Sequence, residues 1–282
     1  MGLGGRLDST NVITPELSLI TNISFDHQEL LGDTLEKIAF EKAGIIKRAG
    51  PVIISERQKE VEKVFVEKAA SLNAPLRFAT DIVTVRAVKT GYDVFTEGKL
   101  WIYDLVPELR GSYQRRNLPG ILAAVLQLRT MSFVIGDPAI RTGIEFAATL
   151  TGLKGRWQTL CQEPLTICDT GHNADGIREV VEQIKATPHR HLHFVLGAVK
   201  EKDISGILIQ LPKDATYYFC QAKIPRALDA LLLEKQAGEF ELKGNVIPDV
   251  NDALREATRA AGKDDLVFIG GSTFVVAEIE GL

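Results

Sequence analysis

Residues 165–177 read LTICDTGHNADGI, and this stretch decides the fold that we predict for the second half of the chain. Its first four residues are apolar or β-branched, which is typical of a short buried strand. Asp169 ends that strand, Gly171 permits a tight turn, and Asn173 is a favoured residue at the N-cap of a helix. A strand followed within a few residues by a helix is the repeating unit of an α/β domain.

The same alternation continues towards the C-terminus. Four more apolar stretches are predicted to be strands: HLHFVLGAV, ATYYFCQA, GNVIP and DLVFIGG. Amphipathic stretches such as DVNDALREATRAA lie between several of them and predict helices. This alternation favours a mostly parallel sheet with helices on both faces. We place a domain boundary near residue 152, so that residues 153–282 form a complete, small, doubly wound domain.

The first half, residues 1–152, is predicted to be α/β as well. LSLITNIS and PVIIS have the composition of buried strands, and TLEKIAFEKAGII has the periodicity of a helix. Residues 76–104 are predicted to form a hairpin, with strands IVTVRAV and YDVFTEGKLWIYDL around a Thr-Gly turn. Two helices are predicted in residues 113–150, and Pro119 leaves the start of the first one open.

The composition bounds the class of protein. With 45% hydrophobic and 25% charged residues, the 282-residue chain has the balance of a globular protein that folds in water. A net charge of −4 gives no indication of nucleic acid or of a membrane surface as a partner. Three cysteines without regular spacing favour a reducing compartment, and no apolar run approaches the roughly 18 residues of a membrane span. We therefore expect a cytoplasmic protein.

In open α/β sheets, ligands bind beyond the carboxyl ends of the strands, so polar residues at those ends are the candidates for function. Asp169 is placed either to bind a ribose hydroxyl or to cap the turn, and the capping interpretation leaves His172 without a purpose. Ser272, in FIGGSTF, is either an N-cap or part of a carboxylate-binding turn, and the local pattern favours the cap. His27 follows the strand LSLITNIS and is either a solvated loop residue or a ligand for a metal or a phosphate.

Lys42 lies on the apolar stripe of the predicted helix 34–46, together with Ile38 and Ile45. Burial of an unpaired ammonium group is costly, so a lysine in this position needs an explanation. One interpretation is a side chain whose stem packs while its amine reaches water. The other is a desolvated amine that is available for chemistry or modification. The pattern alone favours neither.

Three apparent motifs carry little weight. The alternating histidines of HRHLH (189–193) would share one face of a strand, yet exposed histidines at the start of a strand are the commoner case. Cys161, Cys168 and His172 do not have a zinc-binding spacing. GLGGRL, at the N-terminal end, lacks the third glycine of the dinucleotide fingerprint, and no helix pattern follows it.

Several stretches of the chain occur together, and in the same order, in one known family. GLGGRLDSTNVI, ITNISFDHQELLGDTLEKIAFEKAGIIK, GSYQRRNLPGILAAV, GRWQTL and ICDTGHNADGI resemble the bifunctional dihydrofolate synthase/folylpolyglutamate synthase family, a branch of the Mur ligase superfamily. The resemblance runs from residue 1 to GGSTFVVAEI near the C-terminus. It implies that residues 1–152 are the C-terminal part of a Mur-ligase-type ATPase domain. Residues 153–282 would be a Rossmann-like domain with a mostly parallel sheet.

The resemblance also implies an activity. Members of the family use ATP and Mg²⁺ to join L-glutamate to the carboxylate of dihydropteroate or folate. That carboxylate attacks the γ-phosphate to give an acyl phosphate, which the glutamate amine then attacks, while cations offset the developing charge. Two alternatives remain open. One is a Mur ligase that adds an amino acid to a cell-wall precursor, and the other is a non-catalytic nucleotide-binding module.

Two residues match family positions that act at a metal and are therefore candidate catalytic residues. His27 matches a histidine that binds Mg²⁺. Lys42 matches a lysine that is carboxylated to a carbamate and helps to position a metal. This implied role agrees with the interpretation of Lys42 as a desolvated amine, because only an uncharged amine reacts with CO₂.

Five further residues match family positions that contact the substrates. Those implied to bind ATP are Asn117, Arg156 and Asp169, with Asp169 on the ribose. His172 and Ser272 resemble residues that line the glutamate site. L-glutamate and folate or dihydropteroate are thus the expected small-molecule partners.

The resemblance places the start of this chain inside the ATPase domain. In the family, GLGGR follows a strand that ends in a metal-binding glutamate, and a phosphate-binding Gly-x-x-Gly-Lys-Ser loop lies earlier. The present sequence contains no such loop, so we expect the chain to be a fragment that is inactive by itself. We expect the intact parent to be a monomer. The fragment is expected to self-associate through a sheet edge that lacks its neighbours.

Overall fold

A computed structural model describes residues 4–25, 31–200 and 204–282. The chain forms two compact units. Unit 1 consists of Met1–Glu108 and Tyr113–Leu150, and unit 2 consists of Leu109–Ser112 and Thr151–Leu282. A short segment of unit 2 therefore interrupts unit 1 along the sequence.

Three short strands form a parallel sheet in unit 1. They are β1 (Ser18–Ile20), β2 (Val52–Ile54) and β3 (Leu76–Phe78), in the order β1-β2-β3. Helices α1 (Leu35–Ala43) and α2 (Glu62–Ser71) follow β1 and β2 along the chain. Every residue of β2 is buried, as is usual for a central strand with parallel neighbours.

The second sheet of unit 1 is antiparallel and consists of β4 (Val83–Ala87), β5 (Tyr92–Thr96) and β6 (Lys99–Leu105). It confirms the hairpin between the first two strands and corrects two details of the prediction. Leu76–Phe78 pairs with β2 instead of joining the hairpin. YDVFTEGKLWIYDL forms two strands, because Glu97 and Gly98 have φ angles of +51° and +74° and make a tight turn.

Helices α3 (Gln114–Thr130), α4 (Asp137–Glu145) and α5 (Ala147–Thr151) follow β6. Pro119 lies inside α3, so the helix begins well before the proline that had left its start open. Leu118, Leu122 and Ile140 pack from these helices against buried residues of the antiparallel sheet. No helix among the described residues is long and apolar enough to cross a membrane.

Unit 2 contains a six-stranded sheet in the order β11-β10-β9-β12-β8-β7. Its strands are β7 (Gln158–Gln162), β8 (Leu165–Cys168), β9 (Leu192–Leu196), β10 (Thr216–Phe219), β11 (Gly244–Val246) and β12 (Leu266–Gly270). All neighbouring strands are parallel except β7, which runs antiparallel to β8. The predicted fold class, α/β with a mostly parallel sheet, is confirmed.

Helices cover both faces of this sheet. They are α6 (Ala174–Ala186), α7 (Ser205–Leu208), α8 (Ala230–Gly238), α9 (Val250–Ala260) and α10 (Thr273–Ala277). All residues of β9 and β12 are buried, so these central strands contribute to two cores at once. One core contains the aromatic group Phe194, Tyr217 and Phe268, and the other contains Val195 and Ile269.

Candidate functional site

The carboxyl ends of three adjacent strands in unit 2 meet at one edge of the sheet, which we call the carboxyl edge. Asp169, just after β8, donates its backbone N–H to the Ile269 carbonyl of β12 at 3.2 Å. Gly197, just after β9, donates to the Gly270 carbonyl at 3.3 Å. A β-carbon at Gly271 would lie 2.6 Å from the Gly197 carbonyl oxygen, and Gly271 has a φ of +90°. The turn after β12 therefore requires glycine at this position.

Asp169 is buried, with 3% of its surface exposed. Its Oδ2 accepts a hydrogen bond from the Trp157 backbone N–H at 2.7 Å, and its Oδ1 accepts one from the Gly171 N–H, also at 2.7 Å. The carboxylate thus ties the segment before β7 to the turn after β8. These two bonds use about half of the acceptor capacity of a carboxylate.

Arg156 lies between two fixed points of the backbone. On one side the Gly155 carbonyl accepts from the Thr170 N–H at 3.0 Å, and on the other Trp157 donates to Asp169. The side chain of Arg156 is exposed to solvent. A cation is therefore displayed from a well-held segment beside the buried carboxylate.

The turn after β8 also fixes the ring of His172. Its Nδ1 lies 2.9 Å from the carbonyl oxygen of Thr170. Because a carbonyl only accepts, Nδ1 carries the hydrogen, and Nε2 is the acceptor nitrogen of the neutral ring. The next residue, Asn173, caps α6 by accepting from the Gly176 N–H at 2.8 Å, which confirms the predicted N-cap.

Ser272 begins α10 and is buried, with 3% of its surface exposed. Its Oγ accepts from the Phe274 backbone N–H at 3.2 Å, so the N-cap interpretation is confirmed. The structure therefore brings Arg156, Asp169, His172 and Ser272 to the carboxyl edge of one sheet. A role of these residues in substrate binding stays a prediction.

Lys42 lies in the last turn of α1 and is half-buried. Its helix neighbours Ile38 and Ala39 are fully buried, so Lys42 stands at the border of the apolar stripe. The preceding residue, Glu41, pairs with Arg6, whose guanidinium lies 3.0 Å from the carboxylate. Partial exposure of Lys42 is compatible with both interpretations of its amine.

Asn117 lies in the first turn of α3, is half-buried, and donates from Nδ2 to Gln114 Oε1 at 3.2 Å. Lys42 and Asn117 are therefore placed on different helices of unit 1. His27 lies outside the described residues. Within the described ranges, no group of three or more His, Cys, Asp and Glu side chains is arranged to hold a metal ion.

The opposite, amino edge of the sheet in unit 2 holds a polar cluster that the sequence did not predict. His193 is 6% exposed, so the expectation of exposed histidines in HRHLH is wrong for this residue. The Tyr218 hydroxyl lies 3.0 Å from its Nδ1, and Asp265 Oδ2 lies 3.6 Å from its Nε2. Burial, with a further contribution from His191, lowers the pKa of His193.

Asp265 completes this cluster and is also buried. It accepts from the Arg190 guanidinium at 3.0 Å and from the Gly262 N–H at 2.7 Å. The hydrogen-bonded guanidinium holds the pKa of Asp265 far below its ordinary value. The cluster is internally neutralised, and its cation is already paired.

Comparison with known proteins identifies the family. Residues 155–273 match the family described as "Mur ligase, glutamate ligase domain". The dihydrofolate synthase/folylpolyglutamate synthase of Bacillus subtilis is 32% identical over 286 residues, which cover 99% of this chain and 65% of the relative. The chain thus spans about two thirds of the length of that relative. The family resemblance drawn from the motifs is confirmed.

Solved structures agree with this assignment. Escherichia coli FolC in complex with DHPP and ADP is 28% identical, with a TM-score of 0.84, over 98% of this chain and 63% of that one. A folylpolyglutamate synthase/dihydrofolate synthase of Yersinia pestis, complexed with AMPPNP and Mn ion, is 28% identical, with a TM-score of 0.82. It covers 98% of this chain, which in turn spans 63% of the Yersinia chain.

Proposed function

Because residues 155–273 belong to the Mur ligase glutamate ligase domain, we propose that this chain is part of a cytoplasmic ATP-dependent carboxylate–amine ligase. The reaction would join L-glutamate to dihydropteroate or folate. The observation that carries the proposal is the match of this domain to the region that contains the carboxyl edge. The names of the relatives, which act on folates, favour this substrate class over a cell-wall precursor.

The carboxyl edge has groups that suit a nucleotide. The Asp169 carboxylate can accept hydrogen bonds from ribose hydroxyls, and the exposed Arg156 guanidinium can pair with phosphate oxygens. The N-terminus of α6, capped by Asn173, favours negative charge nearby. ATP would supply the phosphoryl group that activates the acceptor carboxylate.

His172 is the residue of the carboxyl edge best suited to handle the amino group of glutamate. Its Nδ1–H is held by the Thr170 carbonyl, so its ring orientation and tautomer are fixed. The acceptor nitrogen Nε2 would orient the amine through a hydrogen bond and draw it towards the uncharged, nucleophilic form. Ser272, which begins α10, would line the same substrate.

A divalent cation belongs to this proposal through the relatives, since the Yersinia structure holds a manganese ion. The described residues of this chain do not form a complete metal site, and His27 lies outside them. We therefore assign no step of the reaction to a metal. Lys42 remains the candidate for carboxylation, and Asn117 the candidate for a nucleotide contact from α3.

Arg156 offers the sharpest test, because its exposed side chain can be removed without disturbing the fold. We expect Arg156→Ala to raise the Kd for ADP by at least about tenfold, since a hydrogen bond to a charged group contributes about 1.5–3 kcal/mol. The Tm should not change. Calorimetric titration of the purified chain with ADP measures the affinity, and Arg259→Ala, an exposed arginine on α9, is the matched control. Equal ADP affinities in the two variants would contradict the nucleotide assignment.

Asp169→Ala separates the two interpretations of that residue. A nucleotide contact predicts weaker ADP binding beyond the effect of any loss of stability. A purely structural role predicts a lower Tm with an unchanged Kd for ADP, measured below the Tm. Asp265→Ala is the control, because it removes an equally buried carboxylate from the opposite edge of the same sheet.

The chain by itself should not make folyl glutamate. Its sequence has no Gly-x-x-Gly-Lys-Ser loop to cradle the phosphates, and the loss of one preorganised donor typically lowers a rate by about 10²–10³. A ligation assay with dihydropteroate, ATP and L-glutamate tests this. A rate close to that of an intact ligase would contradict the prediction.

A further inference from the structure

Leu109–Ser112 is a segment with an unusual place in the chain. The residues on both sides of it, up to Glu108 and from Tyr113, belong to unit 1, yet the segment itself belongs to unit 2. We call it the strap. The chain thus leaves unit 1, runs along unit 2 for four residues, and returns to start α3.

One side chain of unit 2 holds the strap by both ends of its amide. Gln183, on α6, accepts from the Ser112 backbone N–H through Oε1 at 2.7 Å. Its Nε2 donates to the Arg110 carbonyl at 2.9 Å. A residue in a parallel strand makes the same pair of bonds, to the carbonyl before and the N–H after its neighbour. The amide of Gln183 therefore replaces one residue of a β-ladder, with the buried Gly111 between its two contacts.

The base of this clamp is rigid. The helix that carries Gln183 is anchored in the core of unit 2 through its buried residues Ile177, Val180, Val181 and Ile184. The carbonyl of Gln183 itself accepts from the backbone N–H of Thr187 at 3.0 Å and from its hydroxyl at 2.8 Å. The strap is thus bonded to a fixed part of the sheet domain instead of to a loose surface side chain.

We propose that Gln183 is a positioning residue that locks the strap to unit 2. With the strap fixed, the backbone between the units bends at its two ends, between residues 108 and 109 and between residues 112 and 113. Helix α3 begins two residues beyond the strap, so its first turn, which contains Asn117, starts from a point that is set by unit 2. The relevance of this point to ATP rests on the proposed function, whereas the lock itself does not.

Hydrogen exchange at the amide of Ser112 tests the lock in the purified 282-residue chain without any ligand. Ser112 is an exposed residue, so slow exchange of its amide depends on the bond to Gln183. We expect Gln183→Ala to accelerate this exchange at least about fivefold, as the loss of the hydrogen bond predicts. Amides of α6 and β8 should stay protected. Glu182→Ala, a change at the adjacent exposed position, should leave Ser112 as in the unchanged chain.

Gln183→Glu provides the second variant, because a carboxylate can still accept from Ser112 but cannot donate to Arg110. We expect slow exchange at Ser112 in this variant and faster tryptic cleavage after Arg110. Equal exchange at Ser112 in Gln183→Ala and the unchanged chain would overturn the proposal. So would loss of protection throughout α6, which would mean that Gln183 stabilises the helix. Neither readout involves ADP, so a failure here is distinct from a failure of the proposed function.

Discussion

The two edges of the sheet in unit 2 each contain a buried carboxylate, and they satisfy it in different ways. At the carboxyl edge, Asp169 accepts from the backbone N–H groups of Trp157 and Gly171. At the amino edge, Asp265 accepts from the guanidinium of Arg190 and from one backbone N–H. The first carboxylate is solvated by peptide dipoles, and the second is neutralised by a full charge.

This difference shows where the sheet has chemistry left for a ligand. The amino edge pairs its cation with its own carboxylate, and His193 bonds to Tyr218 inside the core. At the carboxyl edge the exposed Arg156 lies close in sequence to the residues that hold Asp169, and the ring of His172 is fixed by a backbone carbonyl. Burial of a carboxylate alone does not mark a functional site; the type of its partners does.

The largest effect should come from a test of how the edges are built. Gly271→Ala introduces a side chain at a φ of +90° and 2.6 Å from the Gly197 carbonyl, so we expect a loss of more than about 2 kcal/mol in the free energy of unfolding. Gly262→Ala at the amino edge meets only the end of the Arg190 side chain at 2.9 Å and Asp265 Oδ2 at 3.2 Å, and Arg190 can move. Its cost should stay below about 1 kcal/mol. Urea denaturation measures both, and similar losses would contradict the contrast.

Asp169→Asn should have the next largest effect. An amide has only one acceptor atom, so its NH₂ group would face one of the two backbone N–H donors, and we expect a cost of about 1.5–3 kcal/mol. Asp229→Asn is the matched control, because Oδ1 of Asp229 alone accepts from both Leu231 and Leu232. Asparagine caps helices as well as aspartate does. A control that loses as much stability as Asp169→Asn would refute the account given for Asp169.

The amino edge should make stability depend on pH. Because the pKa of His193 is lowered in the folded state, the unfolded chain binds more protons below its ordinary value of about 6.5. Stability should therefore fall as the pH decreases from about 6.5, by up to about 1.4 kcal/mol per pH unit. The lowered pKa of Asp265 removes stability only at much lower pH.

His193→Gln separates this contribution from that of the other titrating groups. Glutamine can accept from Tyr218 but does not titrate. We expect a smaller decrease of Tm between pH 7.5 and pH 5.5 in this variant than in the unchanged chain. Parallel pH profiles of the two proteins would show that His193 does not cause the decrease.

The smallest effect is expected at Cys161, in the exposed edge strand β7. Cys161→Ser should change the free energy of unfolding by less than about 0.5 kcal/mol. Cys168, which ends β8 beside Asp169, has a pKa raised to about 12 by burial, and Cys220 has a pKa raised to about 12 for the same reason. A thiol reagent at pH 8 should therefore label Cys161 alone until the chain is unfolded. Rapid labelling of Cys168 would mean that the turn after β8 opens readily.

The sequence predicted the features that depend on local pattern. The apolar runs that became β8, β9 and β12, and the caps at Asn173 and Ser272, follow from composition and turn chemistry within a few residues. Features that depend on distant partners were not predictable in this way. Asp169 and Trp157 are separated by 12 residues, and His193 and Tyr218 by 25, and no periodicity connects them. The burial of His193 follows from such a partner, which is why a local argument placed it at the surface.

The strap also has a consequence for the order of events during synthesis of the chain. Ser112 leaves the ribosome 71 residues before Gln183, so its partner does not yet exist when it emerges. At about 5–20 residues per second, the delay is roughly 4–14 seconds, which is long compared with the folding of a small helix. Unit 1 can therefore fold around α3 while the strap is still unpaired. The strap is captured only when α6 has been made, so the last step in assembling the older part of the chain depends on the newer part.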